Sequence, residues 1–178
     1  TVVNSAVDLG GNNVVVDDAA NLKATLQVNS GAMLGNGITL NNGGALVNAG
    51  TISRSGPGVS GDLGSVSNQS GGSIASSGDN GIYFSYGGTV VNAAGAGISG
   101  TTGVYGDWLS LLDKLSVTNS GTITGTSAAG VDMENGGTLT NQAGGRITGA
   151  TSGVIQWGGS LTNTGAGRIT LDPRVLQG

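Results

Sequence analysis

Along most of the chain, small aliphatic residues alternate with Ser, Thr and Gly in steps of two, and no ten-residue stretch sustains a helical period. In TLTN, Leu139 sits between threonines; in TIT, Ile123 does; in VDME, Val131 and Met133 flank Asp132. Such alternation places apolar side chains on one face of a strand. Gly and Asn break the runs, where turns with positive φ cost them little. The pattern predicts short strands and turns, with less than about a tenth of the residues helical.

The alternation recurs in a fixed order. TLTNQAGGRITG at Thr138–Gly149 is nearly respelled by SLTNTGAGRIT at Ser160–Thr170. Further back stand VTNSGTITG from Val117, VVNAAGAGISG from Val90, SVSNQSGGSIAS from Ser65, ALVNAGTIS from Ala45 and a weaker LQVNSGAMLG from Leu26. Anchoring asparagines fall at Asn29, Asn48, Asn68, Asn92, Asn119, Asn141 and Asn163, at spacings of 19, 20, 24, 27, 22 and 22. From Asn48 onward an Ile follows four or six residues later: Ile52, Ile74, Ile98, Ile123, Ile147 and Ile169. A third apolar landmark comes six to eight residues beyond, at Val59, Ile82, Val104, Val131 and Val154.

A mean period of about 22 residues lies in the range of solenoid repeats. Three short strands per unit describe one coil of a parallel β-helix. No unit can bury its apolar face alone, but a stack buries a continuous column and satisfies each backbone from the coils beside it. The recurring Asn is predicted to stack in register, its amide hydrogen-bonded from coil to coil. Residues 1–25 fit the repeat poorly and are expected to form an irregular N-terminal coil or cap. The repeats run over 26–171, and 172–178 reads as a truncated end, with LDPRVLQG halting the pattern at Pro173.

Units of the form VTNSGTITG…GV…GG resemble the passenger domains of bacterial autotransporters, the type V secreted proteins of Gram-negative outer surfaces. The resemblance covers roughly Leu26 to Leu171 and rests on repeat and composition. It implies an all-β, right-handed parallel β-helix, exposed on the cell surface or secreted, and exported through a C-terminal barrel. No train of amphipathic strands with aromatic girdles is recognisable as that barrel in the sequence. The family implies adhesion, biofilm formation and virulence as roles, although proteases share the scaffold. Absence of Cys suits translocation of an unfolded chain.

Composition narrows the function. The 178 residues include 37 Gly but only 6 Lys plus Arg, 10 Asp plus Glu, and no His or Cys, for a net charge of −4. Leu, Ile, Val and Phe together sit just above the roughly 20% level that sustains a core. The core is therefore expected to be narrow and built of small aliphatic groups. Nucleic acid is excluded as a partner, since phosphate binding needs clustered Lys and Arg. No run of 18 apolar residues marks a membrane-inserting span. With no initiator Met and no signal peptide before Thr1, the chain is expected to be a mature product or a piece of something longer.

Lacking His and Cys, the chain has few means of catalysis, and none of its residues is assigned a catalytic, metal or cofactor role. GGTLTN and GGSLTN lack the Asp of calcium-binding nonapeptides, and Asp17-Asp18 and Asp79-Asn80 read as turns. Asp132 and Glu134 are the one close carboxylate pair, read as a solvated outer face. Their alternative is the acid and base of a polysaccharide-acting β-helix enzyme.

The aromatics are more telling. Tyr83, Phe84, Tyr86, Tyr105, Trp108 and Trp157 all lie between the fourth and seventh units. Aligning Ile82, Val131 and Val154 puts Tyr83, Asp132 and Ile155 in one outward column and Ser85, Glu134 and Trp157 in the next, with Tyr105 and Asp107 on the same face. Aligning the paired glycines Gly87-Gly88, Gly136-Gly137 and Gly158-Gly159 instead shifts the last unit by one, and stacks Trp157 on Tyr86 and Asn135 at a corner or core position. On the first alignment, Tyr83, Ser85, Tyr105, Asp107, Asp132, Glu134 and Trp157 form a strip suited to a protein or sugar partner.

GDWLSLLDKL, near 106–115, breaks the pattern at the longest spacing and reads as a loop extruded from the rod. Trp108, Leu109, Leu111 and Leu112 have the spacing of a short helical turn, with Asp107 as its cap. They either fold back over a coil or form an exposed contact. The sequence thus points to a surface-exposed structural and adhesive module. Its expected partners are a host-cell or bacterial surface protein, a glycan, or a sister copy. An inert stalk is a further alternative. Ice binding is remote, since it would need a flat Thr-x-Thr array and only TLT, TIT and fragments appear.

Overall fold

A computed structural model describes residues 1–5, 13–18, 24–107, 109, 113–134 and 136–171. Among them there is no helix, and strands β1 to β22 form three parallel sheets stacked as a β-solenoid of about six turns of roughly 23 residues each. All pairings are parallel, as each strand lies beside its counterpart in the next coil.

The first sheet contains β1 (Val2–Val3), β3 (Thr25–Val28), β6 (Ala45–Asn48), β9 (Gly64–Asn68), β12 (Gly88–Asn92), β15 (Leu115–Asn119), β18 (Gly137–Asn141) and β21 (Ser160–Asn163). The second contains β4 (Met33–Leu34), β7 (Thr51–Arg54), β10 (Ser73–Ser76), β13 (Gly97–Gly100), β16 (Thr122–Gly125), β19 (Arg146–Gly149) and β22 (Arg168–Leu171). The third contains β2 (Val14–Asp17), β5 (Ile38–Asn41), β8 (Val59–Gly61), β11 (Ile82–Phe84), β14 (Val104–Gly106), β17 (Ala129–Met133) and β20 (Ser152–Gln156). Within the poorly repeating N-terminal segment, β1 and β2 extend the first and third sheets.

Each apolar landmark faces inward in its own column. Ile52, Ile74, Ile98, Ile123 and Ile147 are buried on the second sheet, with Leu34 continuing the column below them. Val59, Ile82, Val104 and Val131 do the same on the third, and Leu46, Val66, Val90, Val117 and Leu139 on the first. Close approach of these columns forbids side chains nearby: a Cβ on Gly130 would meet Ile147 Cγ2 at 2.6 Å.

The asparagines form the predicted ladder. Asn48 Nδ2 donates to Asn68 Oδ1 at 2.8 Å, Asn68 to Asn92 at 2.9 Å, and Asn92 to Asn119, Asn119 to Asn141 and Asn141 to Asn163 at 2.8 Å. Each amide also donates to a carbonyl of its own corner, such as Asn119 Nδ2 to Gly121 O at 3.1 Å. The four-or-six spacing to the Ile is a difference in that corner. The longer form adds a turn whose glycine takes positive φ, as Gly71 does at 81° and Gly144 at 82°.

Asn29 does not belong to the ladder. Val28 pairs with Asn48, and Asn29 lies one residue further on, its Nδ2 bonded to Asn4 Oδ1. The buried Val28 therefore ends the amide column with an apolar contact.

Candidate functional site

Both alignments of the last coils hold, each in its own sheet. On the third sheet Val131 pairs with Val154 and Asp132 with Ile155. On the first sheet Thr138 pairs with Ser160. The corner between those two sheets is one residue shorter in the last coil, which absorbs the difference. Trp157 is 74% exposed, so it occupies no core position. Asn135 lies outside the described residues.

The strip forms because outward positions on parallel in-register strands lie about 4.8 Å apart. Tyr83 on β11 pairs with Ser60 on one side and Tyr105 on the other, and Tyr105 pairs with Asp132. The Tyr83 and Tyr105 rings stack at 5.6 Å with their planes 13° apart. Ser85, Asp107, Glu134 and Trp157 follow the strands in the next outward column, tied to the coil before by backbone bonds such as Asp107 N to Phe84 O at 2.9 Å.

The two columns are joined by a diagonal. The Tyr83 hydroxyl donates to Asp107 Oδ2 at 2.9 Å, and the Tyr105 hydroxyl is hydrogen-bonded to Glu134 one coil further. Burial and these carboxylate bonds raise the pKa of both phenols. Asp132 stands where a third tyrosine would. Burial, and then the Glu134 charge, push its carboxyl up to about 6. Its Oδ1 is shielded from solvent and has no hydrogen-bond partner. The expectation of a simply solvated carboxylate pair therefore fails at Asp132, because the neighbouring coils cover part of the side chain. That covering comes from residues a coil away, and spacing along the chain carries no sign of it.

Of the two acidic pairs read as turns, Asp79-Asn80 lies at a bend after β10, whereas Asp17 is the last residue of strand β2. Asp79 Oδ1 accepts from Asn80 N at 2.7 Å, and Asp18 Oδ1 from Ala24 N at 3.2 Å. Among the described residues, no group of three His, Cys, Asp or Glu could hold a metal ion. Also among them, no helix is long and apolar enough to cross a membrane. A shallow depression at the N-terminal coil, lined by Thr1, Val14, Val16 and Leu26, includes no strip residue.

The insertion enters between β14 and β15 without breaking either ladder. Tyr105 still pairs with Asp132, and Leu115 pairs with Gly88 and Gly137. Leu115 is buried, whereas Leu109 is 50% exposed. Trp108, Leu111 and Leu112 lie outside the described residues. No family model matches this chain, and no curated protein or solved structure matches it.

Proposed function

We propose that the chain is a structural and adhesive module displayed outside a bacterial cell, of the kind found in autotransporter passengers. In this reading the aromatic and acidic strip is its contact surface, and the partner is a protein or glycan of a host or bacterial surface, or a sister copy. The observation that carries it is the stacked Tyr83–Tyr105 pair, held in register and hydrogen-bonded to Asp107 and Glu134, with Trp157 exposed beside them. Rigid aromatic groups contribute contact area at little entropic cost. A shallow strip suits many weak contacts along a rod better than one deep site.

The test is binding of the purified chain to glycan arrays, epithelial cells and settled bacteria. Joint Tyr83→Ala, Tyr105→Ala and Trp157→Ala substitution is expected to reduce binding at least tenfold, about 1.4 kcal/mol. Unchanged binding would put the contact elsewhere, and no binding to any surface would favour the inert stalk.

A second reading rests on Asp132. A carboxyl pushed to about 6 beside another carboxylate has the character of a general acid. We infer that the chain is nonetheless not an enzyme, because no basic group is among those that perturb Asp132 and the sequence has no His. Reducing-end release from acidic or neutral polysaccharides, abolished by Asp132→Asn or Glu134→Gln, would reverse that reading.

A further inference from the structure

The outer face of the first sheet differs from the strip in its hydroxyls. From β9 to β21 every outward position but Val91 is Ser or Thr, whereas β6 carries Ala45 and Val47 and β3 carries Thr25 and Gln27. On β12, β15 and β18 its outward residues are Thr89 and Val91, Ser116 and Thr118, and Thr138 and Thr140, stacked one for one. From β3 to β21 no outward position on this sheet carries a charge. Hydroxyls that look scattered along the chain are collected by pairing into two parallel columns.

Thr and Val are stiff at χ1, so the array keeps its shape without further ordering cost. Its members sit about 4.8 Å apart across strands and about 6.7 Å apart along them. A Thr hydroxyl both donates and accepts, as water does. Beneath lie a buried Val and Leu column and the asparagine ladder, a device of the kind that keeps a sheet flat over many strands.

We propose that this face binds ice, its hydroxyl columns anchoring a layer of ordered water. The dimensions and chemistry select that occupant. Over β9 to β21 the array measures roughly 20 by 15 Å, on the order of 300 Å², below the about 800 Å² per partner that a stable protein interface uses. It offers a sugar ring no aromatic surface to stack on and a charged polymer no counter-charge. A neutral lattice of hydrogen-bonding groups is the matching surface.

The test is ice-affinity partitioning of the purified chain, with inhibition of ice recrystallisation as a second readout. The chain is expected to enrich in ice. Joint Thr118→Lys and Thr140→Lys substitution should cut enrichment at least tenfold at an unchanged melting temperature. Thr122→Lys, on the exposed face of the second sheet, should not. Should the lysine pair unfold the chain, Thr118→Val with Thr140→Val keeps the shape, removes the hydroxyls, and should still lower enrichment. No enrichment of the unaltered chain, or equal loss in Thr122→Lys, overturns the proposal. A dimer in sedimentation that Thr118→Lys dissolves, without ice enrichment, assigns the face to a second copy and overturns it equally. The strip is untouched by these variants, so adhesion and ice binding fail separately.

Discussion

The asparagine ladder and the aromatic strip are built by the same in-register stacking, yet one is periodic and the other is not. In the ladder every amide meets another copy of itself, from Asn48 to Asn163. In the strip the partners differ at each step: Ser60, Tyr83, Tyr105, Asp132 and Ile155 occupy one column. From Asn48 to Asn141 the ladder is buried, so its polar atoms must find partners. Copies one coil away supply them along its length, with Gly50 N bonding Asn48 Oδ1 at its first rung. The strip borders solvent, which satisfies its polar groups without regard to their order, the shielded Asp132 Oδ1 excepted. Repetition in this chain therefore marks what holds the rod together, and departure from it marks where chemistry is free to vary.

Breaking the ladder should have the largest effect. Asn119→Val removes one of the partners of the Asn92 amide, which keeps Thr122 O, and leaves Asn141 Oδ1 and Gly121 O without this donor in the core, costing on the order of 3 kcal/mol in denaturant unfolding. The contrast sharpens with Val28→Asn, which offers Asn48 one more rung and should cost less than about 1 kcal/mol. Near-equal losses in the two variants would show that the column is not what confers stability.

Next comes Gly130→Ala. Its methyl must displace Ile147 Cγ2 and the Gly153 and Thr148 carbonyls, all within 2.8 Å of the added carbon. Overpacking of this kind costs about 1–3 kcal/mol, read as a lower melting temperature. In the strip, Tyr105→Ala should cost only about 0.5–1.5 kcal/mol of stacking, while abolishing most of the binding.

The smallest effect is a pH dependence. Asp132 has its carboxyl raised from 3.8 to about 6, so the folded chain holds a proton there that the unfolded chain has released. Stability should thus fall as pH rises from about 4 to about 6 and level off above. Urea midpoints across that range should show a decline that Asp132→Asn flattens. A rise over the same range in the unaltered chain, absent from Asp132→Asn, would contradict the burial of that carboxyl.

Much of this was legible along the chain. Period-two alternation around Ile123, Val131 and Leu139 implies strands, and the recurring Asn and Ile imply coils in register. The column holding Tyr83, Asp132 and Ile155 follows from aligning Val131 with Val154. Asn29 misled because its surroundings spell the repeat, while only pairing places Val28 opposite Asn48. The hydroxyl face was legible only in part: TLT places Thr138 beside Thr140, but its other neighbours, such as Thr118 and Thr140, lie a full coil apart.

The sequence by itself determined the coil: where strands begin, which side chains point inward, and which residue recurs at each corner. These are local consequences of alternation and turn chemistry, and they repeat because each coil solves the same burial problem. Only the tertiary structure decided what neighbours what across coils. It joined Tyr83 to Asp107, half-covered Asp132, spared the ladders from the insertion, and shortened the last corner by one residue. Those outcomes depend on residues some 20 or more positions apart meeting at about 4.8 Å, a distance set by backbone pairing between coils.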